Sequence, residues 1–362
     1  ADSISVIERN SFTCWGDSVK FGLEIFNYPP VAIVAGDNSV CAGEAGQVYS
    51  VPNNAGSTYN WSVPIGTSIT SFPVTTNQIT VTFGSISGNI SVVETNSAGC
   101  VTNHTPLNVT VNPLPSPTIT PSKALICLGE AVTFTAAPAG AANYTFYVDG
   151  VEAQDGASRT YITDSLTNGQ GVTVEVTLAS GCFATSTASY VIVSDPPVVT
   201  MVSSDADNRI CTGTSVTFTA SSATATNFEF RVNNIAQQSG ASKTYVTNTL
   251  VNGDIVSVIG TTAFGCSAPG NDITVQVDPL PVANFTGTAT ICIGATTNLA
   301  VNVTTGTAPY QIQVNQGVGT ISPYNSGAAI PVAPVVTTTY TLLSITDANG
   351  CTSCDGVNAN IS

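Results

Sequence analysis

Charge is scarce in this chain. Only 8% of its 362 residues are Asp, Glu, Lys or Arg, and they leave a net charge of −15. The basic residues are the scarcest: Arg9, Lys20, Lys123, Arg159, Arg209, Arg231 and Lys243 are all there are. Spread so thinly, they form no patch able to neutralise phosphates, which argues against a nucleic-acid partner and an anionic membrane surface alike. No apolar run is long enough for membrane insertion, and neither an initiator Met nor a signal peptide is present, so targeting has to be inferred from elsewhere. Catalytic signatures are missing too. There is no GxSxG elbow, P-loop, GxGxxG or HExxH. The one histidine, His104, lies in a polar stretch (Val101-Thr102-Asn103-His104-Thr105) and reads as an exposed strand or turn residue rather than a general base. Glu130, Glu152, Asp155 and Glu175 are scattered, with no pair placed for glycosidase work. The chain reads as non-enzymatic.

What the sequence does have is a long beat. A Cys-x-Gly phrase recurs every 81 to 86 residues, at Cys41, Cys127, Cys211 and Cys292. Each is followed by a cysteine directly after glycine: Cys100, Cys182, Cys266 and Cys351, at a slightly longer interval in the first and fourth cases. Prolines follow the first three of these after 13 to 15 residues (Pro113 and Pro115, Pro196 and Pro197, Pro279 and Pro281). A period this long means tandem domains. Cys14 falls where a closing cysteine would. The expected division is therefore a truncated C-terminal part of a repeat (1–28) and four full ones (29–112, 113–195, 196–278 and 279–362). On this reading the chain is a window onto a longer parent polypeptide.

Within the beat the pattern is β. Residues 131–136, 143–148, 159–163, 172–178 and 188–193 alternate or run β-rich, and Asp149-Gly150 is a hairpin signal. About seven strands in some 84 residues, without a helical segment, predict tandem immunoglobulin-like sandwiches. Short proline-rich linkers would join them into an elongated, semi-rigid rod. The third repeat aligns to the second at an offset of 84: Phe134 with Phe218, Phe146 with Phe230, Arg159 with Lys243 and Tyr161 with Tyr245. The first and fourth, with the longer cysteine spacing, form a separate subtype. Trp61 is expected to be a core tryptophan of strand C. Trp15 and Phe183, each directly after a closing cysteine, are expected to pack against a neighbouring domain, with an exposed contact surface at a domain end as the alternative.

Ten cysteines point to an oxidising, extracytoplasmic setting. Spacing leaves their connectivity open. The simplest pairing is within each repeat (Cys41–Cys100, Cys127–Cys182, Cys211–Cys266 and Cys292–Cys351), each bridge contributing about 4 kcal/mol in the chain-entropy model. In a simple immunoglobulin topology, however, the first cysteine precedes strand B and the second follows strand F, at opposite ends of the sandwich. Either the first strand is kinked or the pairing crosses repeats and staples neighbours together. Cys14 is expected to have lost its partner and Cys354 to be the odd one. Cys351-Thr352-Ser353-Cys354 is a single CxxC without the further ligands of a zinc site. Asp205, Asp207 and Asn208, with Asp37-Asn38, could supply oxygen to calcium, but turn formation is the favoured explanation of such residues. No other cofactor is expected.

Two stretches carry a family resemblance. Residues 57–64 (Ser-Thr-Tyr-Asn-Trp-Ser-Val-Pro), with 77–84 and 88–92, resemble the PKD-like domains of large secreted Bacteroidota proteins. Gly306-Thr307-Ala308-Pro309-Tyr310, with residues 346–352, resembles the repeats of that phylum's giant gliding-motility adhesins. The Cys-x-Gly opening resembles the Ig-like repeats of such proteins. The resemblance implies type IX secretion, residence on the bacterial cell surface, and partnership with the outer-membrane secretion and motility machinery. Asp-(Ser/Thr)-apolar triplets, an O-glycosylation context in that phylum, mark Ser3, Ser18 and Ser165. The function expected is a structural stalk segment of a giant cell-surface adhesin that projects a distant binding region. The alternatives are an extracellular filament subunit that polymerises by strand addition, and repeats that bind surface glycans directly.

Overall fold

The computed structural model describes residues 2–287, 289–354 and 358–361. Among them every regular element is a β-strand, as the alternating runs predict. The chain divides into two compact units, one formed by residues 1–124 and 129–192 and the other by 125–128 and 193–362.

In the second unit, Thr200–Ser203, Val216–Ser221 and Thr244–Thr247 form one sheet, with Val216–Ser221 in the centre. The facing sheet places Ile235–Gly240, Ala225–Val232, Ile255–Thr262 and Ser267–Pro269 in that order, and Ile273–Thr274 also pairs with Ile255–Thr262. A third element, Arg209–Cys211, runs parallel to Gln276–Asp278. Inward side chains of both sheets make one core, including Val216, Phe218, Phe230, Val256, Val258 and Val275. This is the two-layer antiparallel arrangement of an Ig-like sandwich. Residues 283–353 build the same two sheets around Leu299, Val301, Ile312, Tyr324 and Leu342.

Strands between Thr118 and Tyr190, Leu125–Cys127 apart, repeat this order in the first unit, and those between Ser39 and Asn112 form a related sandwich around Tyr49, Trp61, Ile79, Val81 and Val92. Residues 2–23 add an antiparallel hairpin, Asp2–Val6 with Val19–Leu23.

The offset of 84 has a structural meaning. Tyr161 stacks on Phe134 and Phe146 with ring centroids 6.3 and 5.6 Å apart, and Tyr245 stacks on Phe218 and Phe230 at 6.3 and 5.7 Å. The hairpin signal is obeyed as well: Asp149 and Gly150 adopt φ of 49° and 80° between Asn143–Val148 and Val151–Gly156. Both central residues of a type I′ turn need such positive φ, which Asp-Gly tolerates. Trp61 is buried, and its indole N–H donates to the Thr76 carbonyl at 2.9 Å, as a core tryptophan must be satisfied.

Phe146 is fully buried, with Tyr161 stacked against it. Phe146→Ala should cost about 3–5 kcal/mol, whereas Val151→Ala at an exposed edge should cost under about 0.5 kcal/mol. Urea unfolding of the two variants checks this, and equal losses would contradict the assignment of the core.

Candidate functional site: staggered disulfide junctions

The local chain places the two cysteine types at different ends of a repeat. The opening cysteine closes a Cys-x-Gly turn: the amides of Glu44, Thr214 and Ala295 donate to the carbonyls of Cys41, Cys211 and Cys292 at 3.1, 2.9 and 2.9 Å. The glycine of each turn has φ near +80° (Gly43 78°, Gly129 83°, Gly213 81°, Gly294 78°), a conformation that side chains other than glycine adopt at a cost. Just before the turn, Ser39–Cys41 and Arg209–Cys211 run parallel to the last strand of their own repeats, with Cys41 opposite Asn112 and Cys211 opposite Asp278. Leu125–Cys127 likewise pairs with Ile192–Ser194. The next residue then donates to the last strand: Ala42 N to Asn112 O at 2.9 Å, Leu128 N to Ser194 O at 3.0 Å and Thr212 N to Asp278 O at 2.9 Å. Arg209 strengthens the third pairing with a two-pronged ion pair to Asp278, at 2.5 and 3.1 Å. The opening cysteine is thereby held at the exit end of its repeat, beside the residues that lead into the proline linker.

The closing cysteine ends a five-residue turn that occurs five times. Leu178, Thr262 and Asp347 each donate their amide to the carbonyl of the cysteine four residues on, all at 2.9 Å, and Asn10 and Asn96 do so at 3.1 Å. Side-chain oxygens of Asn10, Asn96, Thr262 and Asp347 return the favour by accepting the cysteine amide at 3.1, 2.9, 3.2 and 2.9 Å. This turn lies beside the linker that enters its repeat. Cys266 Sγ is 3.6 Å from the Ser194 carbonyl, and Cys100 Sγ is 3.8 Å from the Phe26 carbonyl. In the two repeats with longer spacing, the hydroxyl two residues past the cysteine clasps a linker proline: Thr102 to Pro29 O at 2.8 Å and Ser353 to Pro281 O at 2.6 Å. Ala184 and Ala268 hold that place in the other two, so the subtype difference read from spacing has a chemical counterpart.

With openings at exits and closings at entrances, the bridges cross repeats. They are Cys41–Cys182, Cys127–Cys266 and Cys211–Cys351, with Cα atoms 5.6, 5.6 and 5.5 Å apart and sequence separations of 141, 139 and 140. Pairing within repeats is therefore corrected: the two cysteines of a repeat lie at opposite ends of one sandwich, beyond the reach of a disulfide. Cys100 and Cys292, expected in bridges, carry free thiols, as do Cys14 and Cys354.

Other candidate residues fall differently. His104 is buried (3% exposed) rather than exposed, because Val101–Asn103 pairs with the strand that carries Glu94 and turns His104 onto that carboxylate. Its Nε2 is 3.0 Å from Glu94 Oε2, and its Nδ1 accepts the Ala32 amide at 3.1 Å, which makes Nε2 the protonated nitrogen of the pair. Asn54 Nδ2 donates to both Glu94 oxygens at 2.9 and 3.1 Å. Trp15 and Phe183 are exposed rather than packed, and the Arg9 guanidinium lies 5.3 Å from the Trp15 ring. Asp205 and Asp207 both accept the Arg209 amide, at 3.0 and 3.1 Å, in a bend where Asn208 has φ of 59°. Among the described residues no group of three or more acidic, histidine or cysteine side chains that could hold a metal ion comes together. Ser3, Ser18 and Ser165 are all exposed.

Residues 28–109 match the PKD-like domain. No curated protein matches the chain. Solved structures give distant likenesses. The eight N-terminal Ig domains of Down Syndrome Cell Adhesion Molecule align over 99% of this chain and 52% of that one, at 11% identity and a TM-score of 0.37. The ectodomain of mouse nectin-like molecule 4 aligns over 69% and 98%, at 13% and 0.28, and the fibronectin(III)-like modules of Clostridium thermocellum CbhA over 45% and 95%, at 13% and 0.31. Scores this low establish no shared arrangement of domains. The sandwich assignment rests on the sheets and cores described above, together with the PKD-like match.

Burial alone would raise the Glu94 pKa, but hydrogen bonds from Ser57, Asn54 and His104 outweigh it and hold the carboxyl below the usual range. A depressed folded pKa contributes stability above the unfolded value and loses it as pH falls through the folded one. Thermal unfolding followed from pH 7 downward should therefore show the first unit losing stability below about pH 4.3. Glu94→Gln should cost about 1–3 kcal/mol at pH 7 and flatten that acid limb. An unchanged acid limb in the variant would contradict this role for the buried pair.

Proposed function

We propose that the chain is a non-catalytic structural segment of an extracellular adhesion-type repeat protein, and that its bridges limit how far it stretches under tension. Ig-like and PKD-like sandwiches, three disulfides and the lack of a basic surface all fit a structural or adhesion-type role outside the cytoplasm. The finer reading we favour is a stalk in a giant bacterial cell-surface adhesin of the gliding-motility type, delivered by type IX secretion and glycosylated at Ser3, Ser18 and Ser165. The exposure of all three serines supports the last part. Peptide masses from natively sourced protein should carry added sugar at these sites, and bare masses at all three would remove it.

The observation that carries the reading is the overlap of the bridges. By the peptide backbone, the route from Cys41 to Cys351 runs through nearly the whole chain. By the bridges, the covalent route crosses from Cys41 to Cys182, follows only the short backbone stretch between Cys182 and Cys211, and crosses again to Cys351. At roughly 3.5 Å per extended residue, that limits the segment to about 110 Å instead of about 1,100 Å. Tandem sandwiches bridged only within themselves would each release an unbridged stretch when pulled. Here, unfolding every sandwich cannot carry the segment past the shorter limit. Single-molecule extension of the oxidised chain between positions 41 and 351 should stop near the shorter limit, and reduction should release the longer one. Extension of the oxidised chain by several hundred ångströms would overturn the proposal.

A further inference from the structure

The three bridges obey one rule: the opening cysteine of a repeat joins the closing cysteine of the next. Three repeats, the truncated first one included, present half of such a bridge. Cys292 begins its Cys-x-Gly turn with the hydrogen bond and glycine φ seen at Cys41 and Cys211, yet its thiol is free and exposed. Cys100 sits in the turn that holds the bridged Cys266 and Cys351, with its amide on Asn96 and its sulfur against the entering linker, as Cys266 has its own. Cys14 occupies the same turn, with Asn10 accepting its amide and Thr13, at φ of 65°, in the place of glycine. The case does not rest on a solitary thiol. The equivalent positions in the same molecule are bonded three times over, at nearly identical Cα separations of 5.6, 5.6 and 5.5 Å.

We propose that Cys292 is an opening half-site that takes a closing-type cysteine, on a five-residue turn of the x-x-x-Gly-Cys kind, from another module. Cys100 and Cys14 are closing half-sites that take a Cys-x-Gly opening cysteine. The ligand is in each case a thiol on an Ig-like module of this class, supplied by a further module of the same polypeptide or by a second copy of this chain. Bond formation joins the two sulfurs and releases two protons and two electrons to a disulfide oxidant, which departs as two thiols. Cys354 follows the closing cysteine of its own repeat by three residues, belongs to neither turn, and is assigned no partner.

The chain itself supplies both kinds of half-site, so it can be its own probe. In a buffer of oxidised and reduced glutathione, residues 1–362 should form oligomers that dithiothreitol dissolves, with Cys292 linked to Cys100 or Cys14 in the non-reduced digest. Cys292→Ser should abolish the oligomers, as should Cys100→Ser combined with Cys14→Ser, while Cys354→Ser should leave them intact. Absence of oligomers, their survival in Cys292→Ser, or Cys292–Cys292 links would overturn the proposal. In natively sourced protein, a Gly-Cys peptide foreign to this sequence on Cys292 would identify a further module as the partner, and Cys14 or Cys100 would identify a second copy. An alkylatable Cys292 there would overturn the assignment. This deepens the structural reading above but fails separately from it, because the stretch limit depends only on the three bridges already closed.

Discussion

A disulfide needs its two Cα atoms within about 7 Å, and that short reach governs how this chain is tied together. A sandwich strand of about 6 to 8 residues spans roughly 20–27 Å, so cysteines at opposite ends of one sandwich cannot meet. The opening cysteine is fixed at the exit end by pairing with the last strand, and the closing cysteine at the entrance end by a five-residue turn whose first amide donates to the cysteine carbonyl. Given those two placements, a bridge to the adjoining repeat follows.

That arrangement changes the role of the bonds. A bridge between the two cysteines of one repeat would serve one domain, stabilising it against unfolding. The bridges present span 139 to 141 residues, and so long a loop constrains the unfolded chain only slightly more, by about 5 kcal/mol against about 4 in the chain-entropy model. The energetic difference is small. The mechanical difference is large, because overlapping loops leave a covalent route that bypasses most of the backbone. Each core can hold itself together by burial, as Phe146 and Phe230 do within their stacked triplets, and under the proposed function the sulfurs carry tension between repeats.

Much of this was legible in the sequence. Period-two alternation placed Val132–Ala137, Asn143–Val148, Thr160–Thr163 and Gly171–Thr177 to within a residue, but it ran Ser189–Tyr190 and Ile192–Ser194 together and did not single out Thr118–Pro121, Leu125–Cys127 or Phe183–Thr185. The aromatic positions matched at the offset of 84 turned out to be one stacked layer in each sandwich. The conflict between a pairing within repeats and the immunoglobulin topology was visible as well. Its outcome was not, because connectivity depends on which ends adjoin, and spacing carries no such information. His104 misled for a related reason. Its neighbours are polar, and only the pairing of Val101–Asn103 with Gly88–Thr95 sets it against Glu94, whose carboxylate makes the burial tolerable. The exposure of Trp15 and Phe183 depends on turn direction, which residue type does not encode.

Peptide mapping of the oxidised chain, digested without reduction and with free thiols blocked, tests the central claim most directly. The account predicts linked peptides joining Cys41 to Cys182, Cys127 to Cys266 and Cys211 to Cys351. Peptides joining Cys41 to Cys100, or Cys127 to Cys182, would contradict it.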